Sequence, residues 1–232
     1  MKNVAVLLMG GVGTRFNAKT PKQFYLIKKV PLFIYCLKTF TKLKGFTEIV
    51  LVINPSHKKK VTKYLKQYKL INKITLINGS TSRAFSLLNA IKYVVDNYKE
   101  DVKIISHDVA RAFVPLNIIK EHLLARLKPT EVISTVIPCT DALLKIQGNS
   151  FATINRADYL IMQTPQTFNA RAIYSLIMNH FSNYDDYQDL CSFAIAYGRK
   201  NRNILGSKLN FKITTPEDIA LLKLLSKKIN VY

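Results

Sequence analysis

The chain has 232 residues, of which 48% are hydrophobic, so it is long and apolar enough to bury one substantial core. Its 35 Lys and Arg residues against 14 Asp and Glu give a net charge of +21, which favours anionic partners: nucleic acid, an anionic membrane surface or phosphorylated small molecules. The longest apolar runs are too short to cross a bilayer and no signal-peptide cleavage pattern follows them, so we expect a cytoplasmic protein with no membrane partner.

Two further features of the composition are read as structural rather than functional. The three cysteines, Cys36, Cys139 and Cys191, form no CxxC pair, so the sequence indicates neither a disulfide framework nor a zinc site. The lysine run from His57 to Lys69 has helical spacing and is more simply a solvated helix face than a binding patch.

Short runs rich in Val and Ile alternate with longer stretches whose apolar residues recur at helical spacing. The predicted strands are 3–8, 49–53, 74–77, 102–106 and 132–136, and the predicted helices are 31–43, 56–68, 83–95 and 115–127. Strands that are apolar on both faces are typical of a parallel sheet covered by helices on both sides. The sequence therefore predicts an α/β fold: a doubly wound, mostly parallel sheet in a Rossmann-like three-layer α/β/α sandwich.

After residue 136 the alternation is interrupted. Residues 143–146 and 151–154 flank the turn Gln147-Gly148-Asn149 and predict a β-hairpin, so we expect residues 137–158 to form a projecting arm. Helices at 170–179 and 186–197, a strand at 211–213 and a last helix after Thr215 and Pro216 complete the pattern. No repeat or linker divides the chain, so we expect one domain over residues 1–232.

Glycines follow the first predicted strand, in the sequence Gly10-Gly11-Val12-Gly13. The loop at the carboxyl end of such a strand commonly meets phosphates, and glycines let backbone N–H groups approach an anion. The loop matches neither GxGxxG nor GxxxxGK[ST], so hydride transfer and P-loop hydrolysis lose support. Arg15 and Lys22 follow it and could neutralise a triphosphate, with Pro21 fixing the backbone before the lysine.

The segments GGVGTRF and PKQF closely resemble the nucleotide-binding signature of the polyol-phosphate cytidylyltransferases, in the wider nucleotidyltransferase fold family. These enzymes act on 2-C-methyl-D-erythritol 4-phosphate or ribitol 5-phosphate. The resemblance continues in order along nearly the whole chain, through GSTSRAFS, SHDVARAF, INRADYLIMQTPQTF and NFKITTPEDIALL. The segments NRA, QTPQTF and KITTP are more similar to the ribitol-phosphate branch.

The resemblance, together with the residue chemistry, assigns the site residues. The predicted catalytic cations are Arg15, Lys22 and Lys212. The predicted CTP-binding residues are Met9, Gly10, Gly11, Val12, Gly13, Thr14, Gly79, Ser80, Thr81, Arg83 and Ser86. The predicted acceptor-binding residues are Asp108, Arg111, Arg156, Thr164 and Asp189. Asp108 is also the expected Mg²⁺ ligand, although a carboxylate after a strand can equally be a turn cap. His107 is interpreted as a structural hydrogen-bonding residue.

The function that these assignments imply is transfer of CMP from CTP to a polyol phosphate, with release of pyrophosphate and Mg²⁺ as cofactor. The preferred acceptor is D-ribitol 5-phosphate, whose CDP-ribitol product feeds teichoic acid and other wall polymers. The alternative is 2-C-methyl-D-erythritol 4-phosphate of isoprenoid biosynthesis. We expect a homodimer formed through the arm, with Arg156 reaching the neighbouring site. A nucleic-acid-binding protein on a degenerate scaffold is the alternative of another class, but aromatic and basic residues are not interleaved, so we do not expect nucleic acid as a partner.

Overall fold

A computed structural model describes residues 1–10 and 21–228, with a seven-stranded β-sheet at the centre of the molecule. In chain order the strands are β1 (Lys2–Leu8), β2 (Leu26–Ile27), β3 (Val30–Pro31), β4 (Glu48–Ile53), β5 (Thr75–Asn78), β6 (Val102–Asp108), β7 (Glu131–Pro138), β8 (Leu143–Gln147), β9 (Ser150–Ile154), β10 (Leu160–Asn169) and β11 (Lys200–Leu205). The helices are α1 (Leu32–Thr41), α2 (Lys58–Gln67), α3 (Arg83–Asn97), α4 (Leu116–Leu124), α5 (Ala170–Asn179), α6 (Leu190–Ala196) and α7 (Pro216–Lys228).

The central sheet has the strand order β11-β7-β10-β6-β1-β4-β5. Only β10 runs antiparallel to its neighbours β6 and β7; the other neighbouring pairs in this sheet are parallel. The chain begins in the middle of the sheet and builds outward on both sides. The predicted doubly wound, mostly parallel α/β fold is confirmed.

Helices cover both faces of the sheet, because each strand in its middle carries apolar residues on both sides. On β1, Val4 and Val6 enter a core with α3, α5 and α6, whereas Ala5 and Leu7 enter a second core with α1, α2 and α4. This makes the three layers that the alternating pattern predicts. Within the described ranges, none of the helices is both long and apolar enough to cross a membrane.

A third, smaller core lies at the edge of the second one. Ile219 and Leu222 of α7 pack there with Ile27 of β2, Ala112 and Ile213. This cluster holds three chain segments side by side: the one that follows residue 21, the turn after β6 and the stretch between β11 and α7. The segments that carry the predicted site residues Lys22, Arg111 and Lys212 are thereby fixed to one another.

The predicted hairpin is confirmed as the antiparallel pair β8 and β9, which forms a sheet of its own. Gly148 in its turn has φ of +60°, a conformation that glycine adopts without strain. Large apolar side chains remain exposed on it, with Ile146 at 74% and Phe151 at 68% exposure. The arm leaves β7 at Pro138 and rejoins the central sheet at Leu160, which pairs with that proline.

The predicted strand at 211–213 is wrong, and Lys212 therefore does not lie on a strand. Residues 211–215 are irregular, and the N–H of Ile213 donates to the carbonyl of Ala110 at 3.0 Å instead of joining a strand ladder. The last strand of the central sheet is β11, which pairs in parallel with β7. Its sequence, KNRNIL, is mostly polar and exposed because it is an edge strand, so it gives no apolar signal.

Candidate active site

A cavity of about 190 Å³ opens at the carboxyl ends of β1 and β6, beside the first turn of α3. Ligands of open α/β sheets bind beyond the carboxyl ends of the strands, where this cavity lies. Predicted site residues form much of its wall: Met9, Gly10, Lys22, Arg83, Ser86, Asp108 and Lys212. The structure thus brings residues from both ends of the sequence together as the motifs predicted.

Asp108, the last residue of β6, is the centre of charge in this cavity. Its Oδ1 accepts from Arg83 Nε and Nη2, each at 3.0 Å, and its Oδ2 accepts from Lys212 Nζ at 2.8 Å. The residue is 6% exposed. The ion pairs tie the start of α3 and the stretch before α7 to the end of β6.

The charges around Asp108 decide its ionisation. Burial acts to raise the pKa of the Asp108 carboxyl, but the positive charges of Arg83, Lys212 and Arg111 outweigh it and lower the pKa well below its ordinary value. Asp108 is therefore a carboxylate throughout the physiological range. Because more cations surround it than one carboxylate can neutralise, the cavity keeps a positive charge and suits an anionic ligand.

Lys22 reaches the cavity from the segment that precedes β2. Its Nζ donates to the carbonyl of Ile213 at 2.9 Å, so the lysine lies against the same stretch that carries Lys212. Next to it, Phe24 is buried, with its ring centroid 5.9 Å from that of Phe33 and 5.1 Å from that of His57. The buried aromatic ring anchors the segment, so Lys22 is positioned rather than free, as its place after a proline predicted.

Gly10, Gly79 and Ser86 meet at the floor of the cavity. A Cβ atom on Gly10 would lie 3.2 Å from Ser86 Oγ, and one on Gly79 would lie 3.0 Å from the same oxygen. Ser86 Oγ accepts from the N–H of Ser80 at 2.9 Å and donates to the carbonyl of Ser82 at 2.7 Å. Ser86 thus holds the loop before α3 in shape, and the two glycines allow the backbone to pass close to its hydroxyl. Thr81 lies exposed in that loop.

Thr164 and Arg111 sit behind Asp108 in a chain of hydrogen bonds. The N–H of Asp108 donates to Thr164 Oγ1 at 3.1 Å, and the Thr164 hydroxyl donates to His107 Nδ1 at 2.9 Å. His107 Nε2 then donates to the carbonyl of Arg111 at 3.1 Å, since a carbonyl can only accept. Burial lowers the pKa of His107 to about 4, which keeps the ring neutral in this role. The structural interpretation of His107 is consistent with these contacts.

Two amide residues that the sequence analysis did not single out complete this region. Asn210 is fully buried, and its Nδ2 donates to the carbonyl of Thr164 at 2.7 Å and to Gln163 Oε1 at 3.1 Å. The main-chain carbonyl of Asn210 accepts from Arg111 Nη1 at 2.8 Å. Asn210 ends a short turn and Gln163 lies in β10 beside a register shift. Both are buried polar residues, so the pattern of apolar residues could not reveal them. Their presence inside the NFKITTP and MQTPQTF segments was the signal available.

Several predicted residues are not in this wall. Arg156 lies in the arm just after β9 and donates to the carbonyl of Thr140 at 2.5 Å. Asp189 caps α6, accepting from the N–H of Ser192 at 3.1 Å and from Gln166 Nε2 at 2.8 Å. Those contacts give Asp189 a structural role within the chain. The predicted residues Gly11, Val12, Gly13, Thr14 and Arg15 lie outside the described residues.

The surroundings of Asp108 also limit how a metal ion could bind. Among the described residues, no group of three or more His, Cys, Asp or Glu side chains is arranged to hold a metal. Asp108 offers one carboxylate at the cavity wall, and Mg²⁺ commonly uses one or two carboxylates together with substrate phosphates and water. The residues therefore fit an ion held mainly by a nucleotide, with Asp108 as its protein contact, and do not fit a cage of protein ligands.

A cationic cavity at the carboxyl edge of a doubly wound sheet, with glycines packed against the start of a helix, defines a nucleotide- or phosphate-binding α/β protein. The family model described as 2-C-methyl-D-erythritol 4-phosphate cytidylyltransferase matches residues 3–227. The chain therefore belongs to this family.

Individual relatives match along nearly their whole length. The 2-C-methyl-D-erythritol 4-phosphate cytidylyltransferase of Thermosipho melanesiensis is 35% identical over 225 residues, covering 95% of this chain and 96% of the relative. The ribitol-5-phosphate cytidylyltransferase of Lactiplantibacillus plantarum is 29% identical, covering 97% and 98%. The crystal structure of the Francisella tularensis 2-C-methyl-D-erythritol 4-phosphate cytidylyltransferase has a TM-score of 0.79 at 22% identity, covering 97% and 99%, and shows the shared fold.

Proposed function

We propose that the protein is a CTP-dependent cytidylyltransferase that transfers CMP to a polyol phosphate and releases pyrophosphate. The observation that carries the proposal is the cavity in which Arg83 and Lys212 converge on Asp108 beside Lys22, in a chain of this family. Transfer of a nucleotidyl group requires positioning and stabilisation of charge on phosphate oxygens more than covalent help from the protein.

On the nucleotide side, the narrow contact among Gly10, Gly79 and Ser86 offers backbone polar groups of the loop before α3 to the base. Lys22 and Lys212 lie on the phosphate side, where they stabilise the charge that moves onto the leaving pyrophosphate. Arg15 has the same role in the proposal, although it lies outside the described residues. The acceptor phosphate attacks the α-phosphorus in line, and no covalent enzyme intermediate is needed.

On the acceptor side, Arg111, Thr164 and Asp108 supply the contacts. Arg111 carries a permanent positive charge, so it suits the phosphate group of the acceptor. The Asp108 carboxylate and the Thr164 hydroxyl are groups that can hydrogen-bond to a polyol.

Mg²⁺ is part of the proposal as an ion that arrives with the nucleotide. Asp108 would hold it, and bound there it would withdraw charge from the phosphate oxygens. Binding would require Asp108 to share or release Arg83 or Lys212, which would then be available to the phosphates.

A homodimer formed through the arm is the proposed assembly. The arm exposes Ile146, Phe151 and Leu144, and an isolated two-stranded hairpin is at best marginally stable in water. A second copy that covers these side chains would remove them from solvent. Arg156 of the partner subunit would then enter the acceptor side of the site. The cytoplasmic location stays a prediction.

The identity of the acceptor is tested by pyrophosphate release from Mg²⁺-CTP in parallel reactions with ribitol 5-phosphate, methylerythritol 4-phosphate or no acceptor. The sequence segments favoured ribitol 5-phosphate, whereas the relative named for methylerythritol 4-phosphate has the higher identity, so both reactions are required. Release with one acceptor alone assigns the branch. Folded protein that binds CTP yet releases nothing with either acceptor would contradict the proposed reaction. No observation at the site favours the nucleic-acid-binding alternative.

A further inference from the structure

Asn210 occupies a junction between three segments that carry predicted site residues. It ends a short 3-10 turn, Lys208–Asn210, and is completely buried. Its Nδ2 donates to the carbonyl of Thr164 at 2.7 Å, which fixes the orientation of the amide because that carbonyl can only accept. Its main-chain carbonyl oxygen accepts from Arg111 Nη1 at 2.8 Å.

We propose that Asn210 is a positioning residue, which holds the acceptor-binding guanidinium of Arg111 in place. Its side chain binds the stretch between β11 and α7 to β10 by the hydrogen bond to Thr164. Its main-chain carbonyl accepts from Arg111 and so fixes the position of the guanidinium. The inference rests on the proposed function, since that function gives Arg111 its acceptor.

The chain around Asn210 is built to hold its amide. Gln163 Oε1 accepts from Asn210 Nδ2 at 3.1 Å and from the N–H of Ser207 at 3.3 Å, while Gln163 Nε2 donates to the Ser207 carbonyl at 3.0 Å. Gly206 leaves the room for this arrangement, because a Cβ atom there would lie 2.4 Å from Gln163 Oε1. Glycine at residue 206 therefore leaves the space that the Gln163 side chain needs to reach Asn210.

The substitution Asn210→Asp tests the role with almost no change of shape. It replaces the donating amide by an oxygen that faces the Thr164 carbonyl and Gln163 Oε1, so attraction becomes repulsion at both contacts. The main chain at residue 210 must then shift, and the Arg111 guanidinium that its carbonyl holds moves with it. A displacement near 1 Å of a substrate-positioning group can cost on the order of a hundredfold in rate. We expect kcat/KM for the acceptor to fall between about tenfold and a hundredfold, with KM for CTP nearly unchanged.

The decisive comparison is a cycle of Asn210→Asp, Arg111→Ala and the double variant, measured as kcat/KM for the acceptor in the full-length protein. If Asn210 acts through Arg111, the double variant is hardly worse than Arg111→Ala alone. If Asn210 is only structural, the two effects multiply, and the proposal is overturned. Leu65→Ala, in the buried face of α2, serves as the control for general loss of stability, because it leaves the acceptor side untouched.

Failure of the inference can be told from failure of the proposed function. If Arg111→Ala leaves KM for the acceptor unchanged, the acceptor assignment itself is wrong. If Arg111→Ala raises that KM but Asn210→Asp does not, the positioning role is wrong. Should Asn210→Asp not fold, Gln163→Ala removes the side chain that accepts from Asn210 Nδ2 and leaves Asn210 itself unchanged, and the same selective rise of KM for the acceptor is expected. A rise shared equally by CTP and the acceptor would overturn the inference.

Discussion

Among the described residues that line the cavity, Asp108 is the only one with a carboxylate. Replacing it by Asn removes the negative charge and keeps the shape of the side chain. Arg83 and Lys212 then face an amide, and one half of that amide is an N–H₂ group that repels a cation. The unfolded chain solvates both cations fully, so the folded state carries the cost. We expect the substitution to lower stability at neutral pH.

The magnitude follows from how deeply the ion pairs are buried. Breaking a buried pair by removing one partner costs about 3–5 kcal/mol, but the side chains of Arg83 and Lys212 are 28% and 37% exposed, so solvent screens part of the loss. We expect a loss of roughly 2–3 kcal/mol in the free energy of unfolding. At roughly 2–4 °C per kcal/mol for a chain of this size, Tm falls by roughly 4–12 °C.

The assay is thermal unfolding of wild type, Asp108→Asn and Asp101→Asn, the last being the same charge change at an exposed residue before β6. Because the folded pKa of Asp108 is lowered, its stabilisation is complete above the ordinary value of 3.8 and is lost as pH falls through the folded pKa. The gap to wild type should therefore be constant from pH 5 to 8 and shrink only in strong acid. Metal-free pyrophosphate should raise Tm more in Asp108→Asn than in wild type. Equal Tm values for the two variants would refute the reasoning.

Three further predictions concern other parts of the molecule. Lys22→Ala should cut pyrophosphate release by roughly 10²–10³-fold with only a small fall in Tm from the lost hydrogen bond to Ile213, whereas Lys208→Ala, at an exposed lysine of the nearby turn, should not change the rate. Burial lowers the pKa of His122 to about 3, so protonation of this histidine destabilises the folded state as pH falls from 6.5 toward 3. In urea unfolding, the free energy of unfolding of His122→Gln should therefore fall less steeply with decreasing pH than that of wild type, by up to about 1.4 kcal/mol per pH unit. Phe151→Asp should dissociate the proposed dimer in sedimentation experiments, while Leu124→Asp, at an apolar residue exposed on α4, should leave it intact. Dissociation by both variants would argue against an interface formed by the arm.

Much of the fold was predictable, because a parallel sheet buried on both faces forces continuous apolar runs into its strands. Strands β1, β4 and β6 and helix α3 follow from that rule, and the hairpin follows from its glycine turn. The edge strand β11 escaped because its side chains face solvent, so neither burial nor alternation marks it. The apolar pair around Lys212 was mistaken for a strand, although Ile213 is buried in the small core against α7 instead.

The site was predictable to the extent that chemistry is written in local sequence. Gly10 follows β1, Lys22 precedes β2 and Asp108 ends β6, so the strand pattern marks their positions. The ordered motifs identify two further residues, Arg83 and Lys212. The contacts of Asn210 with Thr164 and Arg111 could not be foreseen, because they join residues 46 and 99 positions apart through an irregular stretch. Such contacts depend on the folded path of the chain and leave no periodic trace in the sequence.

The distribution of charge ties these observations together. Residues 1–95 contain 18 Lys and Arg but a single acidic residue, Glu48. That carboxylate accepts from the hydroxyls of Thr75, Tyr93 and Tyr98, so neutral donors surround it rather than lysines. Arg83 and Lys22 come from this acid-poor half, whereas Asp108, the carboxylate that Arg83 contacts in the same cavity, comes from the other half. Folding therefore opposes several cations with one anion at the end of β6, and the positive charge left over lies where the sheet opens to a ligand.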